Sequence, residues 1–171
     1  MSRLLLETVI VAEKTLPLGK QLSYQFTAVR AAESSGRSLA DFYSRQFLKK
    51  GMDMSTSPRA VLRLRNACER AKCALSFVSH TRVVVDSVLD EIDLDATLTR
   101  GEFELICCDL FVAALEPVRT VLADSRLAQS DICSIVVGGG SSRIPRIQSL
   151  LSALFGGKVC FPTYNRSAKA H

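Results

Sequence analysis

From Pro58 to Phe77 apolar residues recur at steps of three and four. Val61, Leu64, Cys68, Ala71 and Leu75 form one stripe, the mark of an amphipathic helix. Ser57 stands where a cap belongs, and Pro58 sits just inside the first turn. Glu69, Lys72, Cys73 and Ser76 repeat with the same rhythm on a different face. Upstream, Phe42, Tyr43 and Phe47 predict a shorter helix from Leu39 to Lys50, stopped by Gly51. The preceding "AESSGRS" reads as a loop, and "TVIVA" and "YQFTAVRA" as candidate strands.

Downstream the rhythm shifts to alternation. "TRVVVDSVLD" and "IDLDATLT" predict a hairpin turning around Asp90 and Glu91. "TRGEFELICCDLFVAALEPVRTVLADS" returns to a helical period, with Glu102 and Glu104 in its first turn, where the helix dipole favours acids. Pro117 removes an internal N–H and should bend or divide this helix. "DICSIVVG" reads as a strand and "RIPRIQSLLSALF" as a closing helix, with Ile144, Ile147, Leu150, Leu151 and Leu154 toward a core. Helix and strand alternate without repeats, so the fold class is mixed α/β.

Composition narrows the chemistry. At 171 residues the chain suits one domain with a real core. Basic residues dominate from Arg45 to Lys72 and acidic ones from Asp86 to Asp109, as on solvated helix faces. Aromatics are few and not interleaved with the basic run, which argues against nucleic acid as partner; the face from Arg59 to Lys72 is its one candidate. The six cysteines form no Cys-x-x-Cys pair, so zinc-ribbon spacing is absent and reduced, buried thiols in a cytoplasmic protein are expected. Glu7 interrupts the short apolar run near the start, so neither export nor a membrane anchor is expected. The acids from Asp90 to Asp95 lack the calcium-loop pattern, and His80 and His171 support no catalytic triad.

"IVVGGGSSRIP" (135–145) is the most distinctive stretch. A strand feeding a glycine turn that opens a helix lets a ligand approach the backbone and meet unpaired N–H groups. Phosphate, ribose or an adenine edge would each suit it. So would no ligand at all, since glycines also permit a tight βα turn. No lysine follows as in a P-loop, and Arg143 stands where a dinucleotide motif needs its third glycine.

Three segments carry a more specific signal. "RAVLRLRNACERAKCALS" (59–76), "LTRGEFELICCDLF" through "LEPV", and "IVVGGGSSRIPRIQSLL" resemble consecutive segments of the heat-shock protein 70 chaperone family, in its order and with nearly its separations. The resemblance runs from about 39 to 160. It implies part of an actin-like ATPase lobe, namely a helical–hairpin subdomain followed by strand, glycine loop and helix. Residues 1–38 are then a divergent segment of weak strands or loop, and 161–171 a disordered tail.

The resemblance also implies a site. In the family a Glu-x-x-Lys-Arg-x-x-Ser helix face and the glycine loop clamp the adenosine of ATP or ADP. On matching positions this selects Glu69, Lys72, Cys73 and Ser76, with Gly139, Gly140, Ser141, Ser142 and Arg143, and Ile144 beside the base. From the residues alone, Glu69 and Lys72 are equally an ordinary exposed ion pair, worth about 0.2–0.5 kcal/mol.

The pattern breaks in two places. Cys73 replaces the arginine that lies on the adenine face, a loss of roughly 0.5–2 kcal/mol that Arg143 is placed to offset. The family's phosphate loops and catalytic lysine precede the part represented, and residues 1–36 hold no such loop. Phosphoryl transfer depends on those parts. The expectation is therefore weak adenine-nucleotide binding, no hydrolysis by the chain alone, and magnesium only if the missing segments come from elsewhere. Nucleotide-exchange factors or other co-chaperones, gripping residues 55–124, are the alternative partners. Apolar sheet surface is expected to be exposed unless residues 1–30 cover the strand at Ile135–Val137.

Overall fold

Ser57 and Pro58 start a helix as their chemistry requires: the Ser57 hydroxyl accepts the Ala60 N–H at 3.3 Å, and Pro58 occupies the first turn. In the computed structural model, which describes residues 8–15, 21–28, 31–89, 92–124, 130, 132, 134–138, 140–157 and 160–162, the chain forms two compact units. One is contiguous, Glu33–Leu110. The other joins Met1–Ala32 to Phe111–His171.

In the contiguous unit α1 (Ala31–Lys49) and α2 (Pro58–Leu75) are followed by the antiparallel pair β3 (His80–Leu89) and β4 (Ile92–Thr99), then α3 (Arg100–Ile106). The expected loop "AESSGRS" is helix, and α1 begins eight residues before Leu39. Tertiary packing overrides the local signal: Ser35 is fully buried, and a Cβ on Gly36 would collide with Glu69 Oε2. Glycine costs a helix about 1 kcal/mol relative to alanine. Here it is what allows the Glu69 carboxylate to lie against the α1 backbone. Gly51, with φ of 80°, ends the helix as expected; the Gly51 and Met52 N–H groups cap the Leu48 and Phe47 carbonyls.

The buried side of α2 is Ala60, Leu64, Ala67, Cys68, Ala71, Lys72 and Leu75, with Val61 only half-buried. It packs on β3, whose Val83 and Val85 point inward while Val84 faces water. The ladder slips between Val85 and Leu89, around Ser87, which holds a positive φ of 46°. Asp90 and Glu91, the expected site of the turn, lie outside the described residues. Thr99 and Glu102 exchange hydrogen bonds in a capping box that starts α3.

The single long helix expected after Thr99 is three: α3, α4 (Cys108–Ala113) and α5 (Glu116–Asp124). Pro117 lies in the first turn of α5, as anticipated for a divider, but a further break falls at Cys107.

The second unit is built on a four-stranded sheet ordered β2-β1-β5-β6, from β1 (Thr8–Thr15), β2 (Gln21–Ala28), β5 (Ser134–Gly138) and β6 (Cys160–Pro162). β1 contains the whole of "TVIVA", and β2 contains Tyr24–Ala28 of "YQFTAVRA", whose last residue, Ala31, already belongs to α1. β1 pairs antiparallel with β5 in the register Val9↔Gly138, and β6 pairs parallel on the other side. The edge of β5 is thus covered by residues from 1–30. After β5 the chain makes a 3-10 turn, Gly140–Arg143, before α6 (Pro145–Leu154) begins with Pro145 at its start. The glycines therefore do not open the helix directly. Ile144, Ile147, Leu151 and Phe155 are buried, whereas Leu150 and Leu154 are only half-buried. The tail expected at 161–171 is corrected at its start, where Phe161 and Pro162 belong to β6 and pair with Val136 and Val137; residues 163–171 lie outside the described residues.

Candidate functional site

The α2 residues singled out by sequence are gathered along one helix. Lys72 Nζ donates to Glu69 Oε1 at 2.6 Å, one turn apart. The two carry different burdens of water: the Lys72 side chain is 8% exposed, that of Glu69 51%. The expectation that these residues share a face apart from the apolar stripe is thus corrected for Lys72. Lys72 lies at the margin of the apolar stripe, beside Cys68, and its ammonium leaves water with Glu69 as its countercharge. Cys73 is exposed, and its thiol is oriented on Glu69 Oε1 at 3.9 Å. Ser76 is the C-cap, half-buried, with α-helical φ and ψ.

Glu69 is the hub of this face. One carboxylate oxygen accepts the hydrogen bond of the Lys72 ammonium, and the other fits over Gly36. Beneath it lies a cluster that sequence reasoning did not find. The Cys107 thiol donates to the Ser35 carbonyl at 3.6 Å inside the unit. Burial pushes the Cys107 thiol up to about 12; neighbouring Cys108 adds to the rise and Lys72 opposes it. Burial, then the Glu69 charge, pushes Cys68 to about 12. Tyr43 is raised to about 12 by burial first, then by Cys68 and Glu102. These groups are therefore neutral at pH 7. The signal available in the sequence was Gly36 within a stretch otherwise able to be helical, since such glycines mark close packing.

The glycine-turn residues belong to the other compact unit. Gly139 lies outside the described residues. Gly140, Ser141, Ser142 and Arg143 form the 3-10 turn, in which Ser142 is buried and Arg143 exposed. Gln148, on α6, donates through Nε2 to the Ser142 carbonyl at 2.5 Å and ties the turn to the helix. Ile144, expected beside a base, is 3% exposed and serves as the N-cap position of α6 without a side-chain cap.

Among the described residues no group of three or more His, Cys, Asp or Glu side chains is placed to hold a metal ion. Among the same residues no helix is long and apolar enough to cross a membrane.

Comparison with known proteins gives a consistent picture. A family model described as Hsp70 protein matches residues 33–166. A ribosome-associated molecular chaperone of Nakaseomyces delphensis is 48% identical over 121 residues, 70% of this chain and 20% of that protein. The heat shock 70 kDa protein of Neurospora crassa is 46% identical over 121 residues, covering 70% and 19%. A ribosome-associated molecular chaperone of Saccharomyces cerevisiae is 47% identical over 121 residues, covering 70% and 20%. The chain spans about a fifth of the length of these relatives. β1 and β2 lie outside the family match.

Proposed function

This chain belongs to the Hsp70 family, and from that premise we propose that it carries the adenosine-facing half of an ATP site on an actin-like lobe. The observation that supports this most directly is the Glu69–Lys72 pair. A half-exposed carboxylate is held in place by a buried ammonium at 2.6 Å, with the Ser76 hydroxyl at the end of the same helix. A fixed carboxylate accepts hydrogen bonds from ribose hydroxyls without first having to be ordered. Gly140, Ser141, Ser142 and Arg143, with Gly139, form the second group assigned to adenosine.

The inherited role is that of an ATP-dependent protein-folding chaperone in the cytoplasm. The 171-residue chain alone binds ATP or ADP weakly, through the adenosine part, and does not hydrolyse it. Magnesium enters only with phosphate-holding segments supplied from elsewhere. Isothermal calorimetry with ADP tests the proposal: weak, magnesium-independent binding is expected, lowered tenfold or more by Glu69→Ala. Tight magnesium-dependent ATP binding, or turnover abolished by Lys72→Ala, would overturn it.

A second reading has its own support. Between α2 and β3 lies a shallow polar depression lined by Arg63, Asn66, Arg70, Val84, Val85 and Asp86, suited to a protein partner such as a nucleotide-exchange factor. A pull-down in which exchange-factor capture persists with Glu69→Ala, and without nucleotide, would favour this role.

A further inference from the structure

Gly36 is a glycine where the backbone asks for none. It lies inside α1, and its φ is not positive, unlike that of Gly51, so an alanine there would fit the helix and favour it. What excludes a side chain is space, and one residue fills that space. Among the described residues a Cβ on Gly36 would meet only Glu69, overlapping Oε2 and touching Cδ at 3.7 Å.

That neighbour is not one that folding requires. A carboxylate whose side chain is 51% exposed could as well lie in water, and seating it against α1 adds little stability. Nor does the ion pair call for the glycine, since Lys72 Nζ donates to the other oxygen, Oε1, at 2.6 Å and within α2 itself. Together the two contacts fix a direction. Oε1 is held by the ammonium, and Oε2 stops against the α1 backbone.

Resting on the adenosine reading above, we infer that Gly36 is a positioning residue for the nucleoside: the absence of its side chain seats Glu69 Oε2 against α1 and so aims the carboxylate at the ribose hydroxyls. Glu69 touches the ligand, and Gly36 acts only through it. A carboxylate fixed at both oxygens has less freedom to lose on binding than one that rotates. An alanine would push the flexible end of Glu69 outward, because the helix backbone is the stiffer of the two. Helix stability and ligand binding should therefore respond in opposite directions.

Isothermal calorimetry with ADP, paired with thermal melts, tests this on the full chain as wild type, Gly36→Ala, Glu69→Ala and the double variant. Gly36→Ala should weaken ADP binding about fivefold, the scale of one charge-assisted hydrogen bond put out of line. It should nevertheless melt no lower than wild type, since alanine suits a helix interior better. Glu69→Ala removes the one side chain that the new Cβ would meet, so in that background Gly36→Ala should leave ADP affinity unchanged. A lower midpoint and weaker binding in both backgrounds would mark a general packing role and overturn the proposal. ADP bound equally by wild type and Gly36→Ala would also overturn it, while leaving the adenosine site standing. If the wild-type chain binds no ADP, both fall.

Discussion

The two compact units reach their structure by different routes. Residues 33–110 follow one another along the chain, and their helices and hairpin carry their own starts and stops: Ser57 and Pro58, Thr99 with Glu102, Gly51. The other unit is sewn from two distant stretches. Its central pairing joins Val9 to Gly138, so loop-closure entropy is spent before the sheet gains any burial. Local signals therefore set most of the element ends in the first unit, the start of α1 and the break at Cys107 apart, whereas the second depends on partners that no window of sequence contains.

The sharpest test of that contrast is a core truncation in each unit. Phe155→Ala removes a ring that is 1% exposed and should cost about 3–5 kcal/mol. Hydrogen exchange should show the greatest loss of protection in β5 and α6; loss confined to α2 and β3 would break the comparison. Leu64→Ala, at a fully buried site, should cost about 2–5 kcal/mol and deprotect α2 and β3 instead.

Next in size is a response to alkali seated in the contiguous unit. Tyr43, Cys68 and Cys107 are each raised to about 12, from ordinary values of 10.0 for the tyrosine and 9.0 for the cysteines. Above pH 9 the unfolded chain loses these protons first, while the folded unit retains them. Stability is therefore complete below about pH 9 and falls as pH rises toward 12. The slope is at most about 1.4 kcal/mol per pH unit for each group, and less where water screens it. Urea melts at pH 8, 9.5 and 10.5 should show a falling midpoint, and Tyr43→Phe should flatten it. In the same preparation, residue-resolved mass spectrometry should find Cys73 and Cys108 alkylated before Cys68 and Cys107.

The smallest effect concerns a local signal. Ser57→Ala should cost about 1 kcal/mol, the scale of a lost helix cap, and shift the denaturation midpoint of the contiguous unit with little change in its slope. No shift would mean that packing against β3, and not the cap, fixes where α2 begins.

Legibility in the sequence follows the same division. The α2 stripe, its cap, the β3–β4 hairpin and the terminating Gly51 are all readable, because each rests on neighbours within a few residues. The strand runs near the start are readable as strands, though not as partners of β5. "AESSGRS" misleads because its serines and glycine signal a loop when no packing is in view. The break at Cys107 leaves no mark comparable to Pro117. At the candidate site, residue types and spacing name Glu69, Lys72, Cys73 and Ser76, but exposure does not follow from them. Lys72 stands at the edge of a stripe, where a small rotation of the helix decides between water and protein.

The sequence by itself determined the period of each element, most of their ends, and the order of chemical groups along α2, since these depend on the chain's local geometry. Only the tertiary structure decided that Gly36 makes room for Glu69, that Lys72 is buried with its countercharge, and that β1 covers the edge of β5. Those outcomes turn on which surfaces meet, and burial acts on groups that are close in space however far apart they stand in the chain.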